Sequence, residues 1–239
     1  MKFSQQKLED IASNSLYTTF TNSATILYSY EIFRRFLRPG KVLELGPAEG
    51  LMTEQLLNSY DQVTIVEGSK TFCVQLNDQF GSRVNISQCL FEDFKPIEKF
   101  DNIILGHVLE HVEDPEKILE LARNWLSPDG ILLSAVPNAR SIHRQAAVKM
   151  GLLKSIFELS PKDIHHGHLR IYTPETFESA FLKSSYSLIS KGGYWLKPLS
   201  DRQIEENWTR EMLLAFMQLG EFYPDIAAEL YIVAKAENQ

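Results

Sequence analysis

The period of the hydrophobic positions changes repeatedly along the chain, and the changes outline alternating helices and strands. Ile26, Leu27, Tyr30, Phe33, Phe36 and Leu37 fall at helical spacing, and the pattern stops at Arg38-Pro39-Gly40. Residues 1–38 therefore read as helical. Residues 41–46 form a short apolar run ending in glycine, followed by a helical stretch over 48–60. Residues 62–67 are β-branched and end on an acid; 69–80 is helical, with Ser69 placed as its N-cap, and 84–87 is a strand. A strand over 100–105 precedes Asp114-Pro115, an N-cap followed by proline at the first helical position. Ile118, Leu119, Ala122, Trp125 and Leu126 are the buried stripe of that helix. Residues 127–130 read as a turn into a strand over 131–136.

The stretch 138–168 breaks this rhythm and reads as a lid insertion, reaching to about 170, with one amphipathic helix. A helix over 173–183, a strand over 186–190, a turn at Gly192-Gly193, one long helix over 201–220 and a strand over 230–234 complete the pattern. Apolar strands alternating with helices predict an α/β fold, a three-layer sandwich with a mostly parallel sheet between two helical layers. No linker-like stretch divides the chain, so one domain is expected over 1–239.

Composition narrows the classes of function. The 239 residues are 44% hydrophobic and 23% charged, which excludes a disordered chain. Lys plus Arg is 24 against 31 Asp plus Glu, a net charge of −7, which argues against a dedicated nucleic-acid-binding protein. Cys73 and Cys89 build neither a disulfide framework nor a zinc knuckle, and two free thiols suit a reducing cytosol. No signal peptide and no membrane span is legible, so a cytoplasmic location is expected.

The first candidate chemistry is the loop Gly46-Pro47-Ala48-Glu49-Gly50 between a strand and a helix. Such a loop lets a ligand approach the backbone at the C-terminal edge of a parallel sheet. It is not a pyrophosphate cradle. Pro47 has no N–H, Ala48 stands where a second glycine would be, and Glu44 repels a phosphate but suits a cation. Glu67 ends the second strand about twenty residues after Gly46, the place from which an acid accepts bonds from both ribose hydroxyls. Together these residues favour a nucleoside ligand that carries no phosphate.

At this point the chain resembles the class I S-adenosylmethionine-dependent methyltransferases, over residues 42–197. The residues that carry the resemblance are Val42-Leu43-Glu44-Leu45-Gly46-Pro47-Ala48-Glu49-Gly50, Val66-Glu67, Phe91-Glu92-Asp93-Phe94, and the segment from Phe100 to Pro115. Leu126-Ser127-Pro128-Asp129-Gly130-Ile131, His166-Gly167-His168 and Tyr172-Thr173-Pro174 continue it. His107-Val108-Leu109-Glu110-His111-Val112, ending in Asp114-Pro115, is the most specific part and is similar to the small-molecule branch that includes ubiquinone-biosynthesis O-methyltransferases. Ala48 departs from the family's glycine. The resemblance implies a seven-stranded Rossmann-like sheet whose last strand is antiparallel and inserted beside the sixth. It implies S-adenosyl-L-methionine as cofactor. Gly46 and Pro47 would line its methionine part, Glu44 its cationic side and Glu67, with Gly68, its ribose. Phe91, Glu92 and Asp93 would surround the adenine, and Gly106 and His107 the sulfonium. The implied reaction is in-line methyl transfer to a small molecule, expected at a hydroxyl oxygen.

Among the six histidines, His111 is the leading general base or substrate-orienting group, and His168 the second catalytic candidate. A metal held by His107 and His111 would need a third ligand. Glu110 is expected on the wrong side, leaving His165, His166 or His168, and no metal is expected. The cluster His165-His166-His168 reads equally as a connector holding the lid. Arg140, Arg144 and Arg170 are candidates for an acidic substrate, Tyr194 and Trp195 for an acceptor pocket, and Tyr17 and Tyr28 for the wall of the cofactor cleft. Two rival functions stay open: a silent S-adenosylmethionine-binding module and a nicotinamide-dependent Rossmann enzyme. The acceptor and the oligomeric state are not legible.

Overall fold

The computed structural model describes residues 5–237, so residues 1–4 of the expected N-terminal helical region and residues 238–239 lie outside the described residues. The chain begins with α1 (Gln5–Ser13) and α2 (Phe20–Phe33). It then alternates through β1 (Val42–Leu45), α3 (Leu51–Leu56), β2 (Val63–Glu67), α4 (Lys70–Phe80) and β3 (Val84–Gln88). Next come β4 (Phe100–Gly106), α5 (Pro115–Trp125) and β5 (Leu126–Pro137), followed by α6 (Ile142–Lys149) and α7 (Pro161–His165). The last elements are α8 (Pro174–Lys183), β6 (Tyr186–Tyr194), α9 (Asp201–Asn207), α10 (Arg210–Phe222) and β7 (Glu229–Ala236).

The seven strands lie in the order β3-β2-β1-β4-β5-β7-β6. From β3 to β5 neighbours are parallel, while β7 runs antiparallel to both β5 and β6. The strand order reverses between β1 and β4, the switch point at which open α/β sheets bind ligands. Leu45 is opposite Val66 and Glu44 opposite Ile104. Hence Gly46, Glu67 and Gly106 emerge together along one edge of the sheet.

Side-chain alternation splits the core into two layers. Val42, Ile65, Ile104 and Leu133 face α2, α3 and α10; Leu43, Leu45, Leu105 and Leu132 face α5 and α8. Local signals set the helix starts. Ser69 accepts from Phe72 N at 3.3 Å, and Asp114 accepts from Lys117 N at 3.0 Å with Pro115 following. Thr173 and Pro174 start α8 in the same way.

Five expectations are corrected. The helix expected over 48–60 is confined to Leu51–Leu56, because Gly50 at φ +80° keeps the chain non-helical until that point. The turn expected at 127–130 belongs to β5, which pairs Leu126 with Phe100 and then shifts register before Asn102 meets Ile131. Gly192 and Gly193 lie inside β6 rather than in a turn. A Cβ on Gly192 would stand 2.7 Å from the Tyr231 ring, and one on Gly193 2.9 Å from Glu229 O, so the glycines serve close packing. The helix over 201–220 breaks at Trp208, and Thr209 caps a new one by accepting from Met212 N at 3.3 Å. The stretch 138–170, expected to hold one helix, holds two; the second starts with a Ser160–Asp163 capping box that the pattern did not reveal.

Gly220 joins α10 to the sheet. A Cβ there would lie 2.2 Å from Trp195 N and 2.4 Å from Tyr194 C, both backbone atoms. Glycine to alanine ordinarily stabilises a helix by about 1 kcal/mol. Gly220→Ala is expected instead to lower stability by about 2–3 kcal/mol in urea unfolding, as overpacking does. A neutral or stabilising result would contradict this packing.

Candidate active site

Gly46 leaves β1 at φ +64° and donates to Val66 O at 2.9 Å, bending the chain over the edge of β2. Ala48 follows at φ +48°, a left-handed conformation that costs an alanine about 1–2 kcal/mol. Below the loop, Glu44 is buried and accepts from Thr53 Oγ1 at 2.6 Å. Burial pushes its pKa up to about 8, with the Thr53 bond opposing and Glu67 adding to the rise. Glu67 is also buried and accepts from Ser69 N at 2.8 Å. Burial raises its pKa to about 7, against the backbone donors Ser69, Ala48 and Gly68.

Glu67, Gly68, Phe91 and Glu92 line a cavity of about 170 Å³, closed on one side by Leu8 and Ile11 of α1. Asp93 is not brought into it. Phe91–Asp93 is a single 3₁₀ turn that points Phe91 toward Gly46 and leaves Asp93 exposed. A larger cavity of about 650 Å³ is lined by Glu44, Gly46, Pro47, Gly106, His107, Glu110, His111 and His168, together with residues of α6, α7 and the start of α9. Tyr17, Gly46, Ala48, His107, His111 and His166 border both, so the two cavities form one trough.

His107 follows β4 at φ +58° and is held on both sides. Its Nε2 lies 3.1 Å from Tyr194 Oη, and its Nδ1 lies 3.5 Å from Glu110 and 3.8 Å from Glu229. Burial pulls the His107 pKa down, but the nearby Glu110 and Glu229 carboxylates outweigh it and hold it above the usual imidazole value. His111 is in the opposite state. Burial lowers its pKa to about 4 despite Glu110, so the ring is neutral near pH 7. It packs edge-on against His168 with ring centroids 4.7 Å apart. His168 Nδ1 faces Asp163 at 3.4 Å, and Asp163 is in turn anchored by Arg144 at 3.0 Å.

Residues 27–191 match the model of a methyltransferase domain. The chain belongs to that methyltransferase family. It is a class I S-adenosylmethionine-dependent methyltransferase, as the first loop and the segment around His111 suggested. The ubiquinone biosynthesis O-methyltransferase of Brucella ovis is 25% identical over 188 residues, covering 76% of this chain and 72% of that protein. Two solved structures share the fold at 14% identity. The N-methyltransferase NodS from Bradyrhizobium japonicum has a TM-score of 0.63 with 98% of each chain covered. The 1,6-didemethyltoxoflavin-N1-methyltransferase of Burkholderia thailandensis has a TM-score of 0.65, covering 100% of this chain and 92% of that one.

Several site residues of this methyltransferase escaped sequence reasoning. Glu110 was expected on the wrong side of a helical turn. The segment after β4 is instead an irregular turn, and Glu110 is fully buried toward His107. Atoms of Glu110, His111 and His168 lie within 4.8 Å of one another, a donor set that could hold a divalent cation, whereas the sequence pointed to no metal. Glu229 and Lys197 come from the C-terminal third, where no motif marks them. The three arginines named for an acidic substrate are occupied. Arg140 pairs with Glu175, Arg144 with Asp163, and Arg170 donates to the carbonyls of Leu109, Val112 and Glu113. Tyr28 lies in the core beside Tyr194, while Tyr17 and Trp195 reach the trough.

Glu9 makes the densest set of bonds that tie the N-terminal wall of the trough down. Glu9 of α1 accepts from Ser69 Oγ at 3.0 Å, Lys70 N at 2.7 Å and Thr71 N at 3.2 Å, capping α4 from outside its own sequence. Gln5 donates to Gly68 O at 2.9 Å beside it. Glu9→Ala is expected to speed amide exchange in residues 5–13 at least tenfold while the protection of β1 and β4 stays unchanged. Unaltered exchange in α1 would show that other contacts hold it.

Proposed function

We propose that this methyltransferase binds S-adenosylmethionine with the adenosine in the smaller cavity and transfers the methyl group to a hydroxyl of a small molecule held in the larger one. The observation that carries this reading is the pair of buried carboxylates, Glu44 and Glu67, converging on Gly46 at the switch point. The loop between them lacks the amides a pyrophosphate needs, because Pro47 stands in it. The residues present fit the cofactor. Glu67 accepts the ribose hydroxyls, with Gly68 beside it. Phe91 and Glu92 flank the adenine. Glu44, Gly46, Pro47, Gly106 and His107 line the place of the methionine end. Glu110 and Glu229 offer buried oxygens without hydrogen-bond partners on the same floor, as a cationic ligand requires.

The bound donor supplies a methyl group on a positively charged sulfur. The protein's task is alignment, water exclusion and proton removal. His168, oriented by Asp163, accepts the proton of the acceptor hydroxyl. Burial raises the Asp163 pKa, but His168, Arg144 and Ser160 outweigh it, so the carboxylate stays ionised behind the imidazole that is gaining charge. His111, neutral and packed on His168, lies against the same hydroxyl and fixes its direction. Residues 138–170 act as a lid over the larger cavity, and α1 covers the adenosine. The O-methylating relative from Brucella ovis supports oxygen as the methylated atom.

Calorimetric titration with S-adenosylhomocysteine and turnover assays on a panel of phenols and other hydroxyl compounds test the proposal. Glu67→Ala is expected to weaken binding at least tenfold, about 1.4 kcal/mol or more. His168→Ala and His111→Ala are expected to lower kcat at least a hundredfold with binding within twofold of the parent. Equal loss of binding in all three variants would contradict the division of roles. Binding without turnover on any acceptor would leave a silent cofactor-binding module.

A pH dependence follows from Glu44. Its pKa is raised to about 8, so it is mostly protonated at pH 7, and a cationic ligand favours its ionised form. Affinity for S-adenosylhomocysteine, through its ammonium, is therefore expected to rise from pH 6 to about 8.5 with release of a proton. Glu44→Gln is expected to flatten that rise. A parent affinity that falls over this interval would contradict the placement of Glu44.

A further inference from the structure

One wall of the larger cavity carries an unusual charge arrangement. Lys162 of α7 and Lys197, four residues before α9 begins, share the single carboxylate of Asp201, each at 2.5 Å. Lys197 is only 7% exposed and stands 4.5 Å from the centroid of the Trp195 ring. Lys162 also donates to Asn22 Oδ1 at 2.9 Å. Two ammonium groups against one carboxylate leave a surplus positive charge, and for the buried Lys197 that is costly without a further anion, while Lys162 keeps 39% of its side chain exposed.

The neighbouring charges remove that surplus only in part. Arg144 is balanced by Asp163 at 3.0 Å, and Arg202 on the rim is balanced by Glu206 at 2.8 Å. Glu110 and Glu229 stand around His107; Glu229 also lies in the field of Lys197, but burial raises its pKa to about 7, so it offsets that lysine only in part. His143 also lines the cavity, with a buried Nδ1 that has no partner. Burial and then the charge of Lys197 lower its pKa to about 3, so it is a neutral donor or acceptor and adds no charge. The cavity therefore carries acids around His107 and two lysines around Asp201.

We propose that the methyl acceptor carries an anionic group, a carboxylate or a phosphate-type group, which docks on Lys162 and Lys197 with His143 beside it. This deepens the reading of the larger cavity as the acceptor site and rests on it. An anion there supplies the missing charge, while the acids around His107 repel it, so the molecule enters in one orientation. The carboxylate of Asp201 holds the two lysines together while the cavity is empty.

The test is calorimetry on the full chain, with and without saturating S-adenosylhomocysteine. The probes are benzoate and inorganic phosphate, with benzamide as the uncharged control. Benzoate or phosphate is expected to bind at least tenfold more tightly than benzamide and to weaken as salt rises. The stronger of the two identifies the kind of anion. Lys162→Gln and Lys197→Gln are each expected to reduce anion affinity about tenfold. Asp201→Asn is expected to raise it severalfold, because it removes the competing carboxylate. All three variants should keep their affinity for S-adenosylhomocysteine, which also reports that they fold.

Benzamide binding as well as both anions, or Asp201→Asn lowering anion affinity in a variant that still binds S-adenosylhomocysteine, would overturn the proposal. The preference of the parent protein for an anion over benzamide needs no variant, so a misfolded mutant leaves the test intact. If the parent fails to bind S-adenosylhomocysteine, the cofactor assignment fails. The anion titrations without it still decide whether this site exists.

Discussion

The structure depends on two carboxylates kept out of water at the ends of adjacent parallel strands. Glu44 lies opposite Ile65 one residue before β1 ends, Glu67 ends β2 two positions further along, and burial holds both above the usual carboxylate pKa. Desolvated acids of this kind are a liability unless a ligand supplies hydrogen bonds or positive charge. Much of the surrounding architecture maintains that arrangement. Thr53 holds one carboxylate and the amide of Ser69 the other, while Gly46 lets the chain turn between them without covering either.

The trough extends this constraint along its length. His107 is suspended between Tyr194, Glu110 and Glu229, residues from β6, the turn after β4 and β7. The antiparallel insertion of β7 between β5 and β6 is what brings Glu229 beside a histidine that follows β4. Arg170 holds the turn that carries Glu110 and His111 through three of its carbonyls. The sheet topology, the irregular turn and the buried charges therefore form one connected design.

The elements with strong local signals were legible in the sequence. The strand ending at Glu67, the Ser69 cap and the Asp114-Pro115 start of α5 are each specified by neighbouring residues. The glycine loop, Glu67 and the histidine segment likewise carried the family resemblance, and the methyltransferase family bears it out. Features decided by distant contacts were not legible. Glu110 faces inward because the chain after β4 is a turn rather than a helix, which no periodicity reveals. Gly192 and Gly193 resemble a turn but serve the packing of Tyr231 and of backbone carbonyls. Lys197, Asp201 and Glu229 reach the trough from a region without a motif, and Glu9 caps a helix sixty residues further along the chain. Asp93 shows the converse: it belongs to a family-like segment, yet a 3₁₀ turn faces it to solvent.

A crystal structure with S-adenosylhomocysteine tests the central claim most directly. The account predicts the ribose hydroxyls on the Glu67 carboxylate, the adenine between Phe91 and the α1 wall, and the ammonium end toward Glu44. An adenosine bound outside the smaller cavity, or a Glu67 side chain turned away from the ribose, would contradict it.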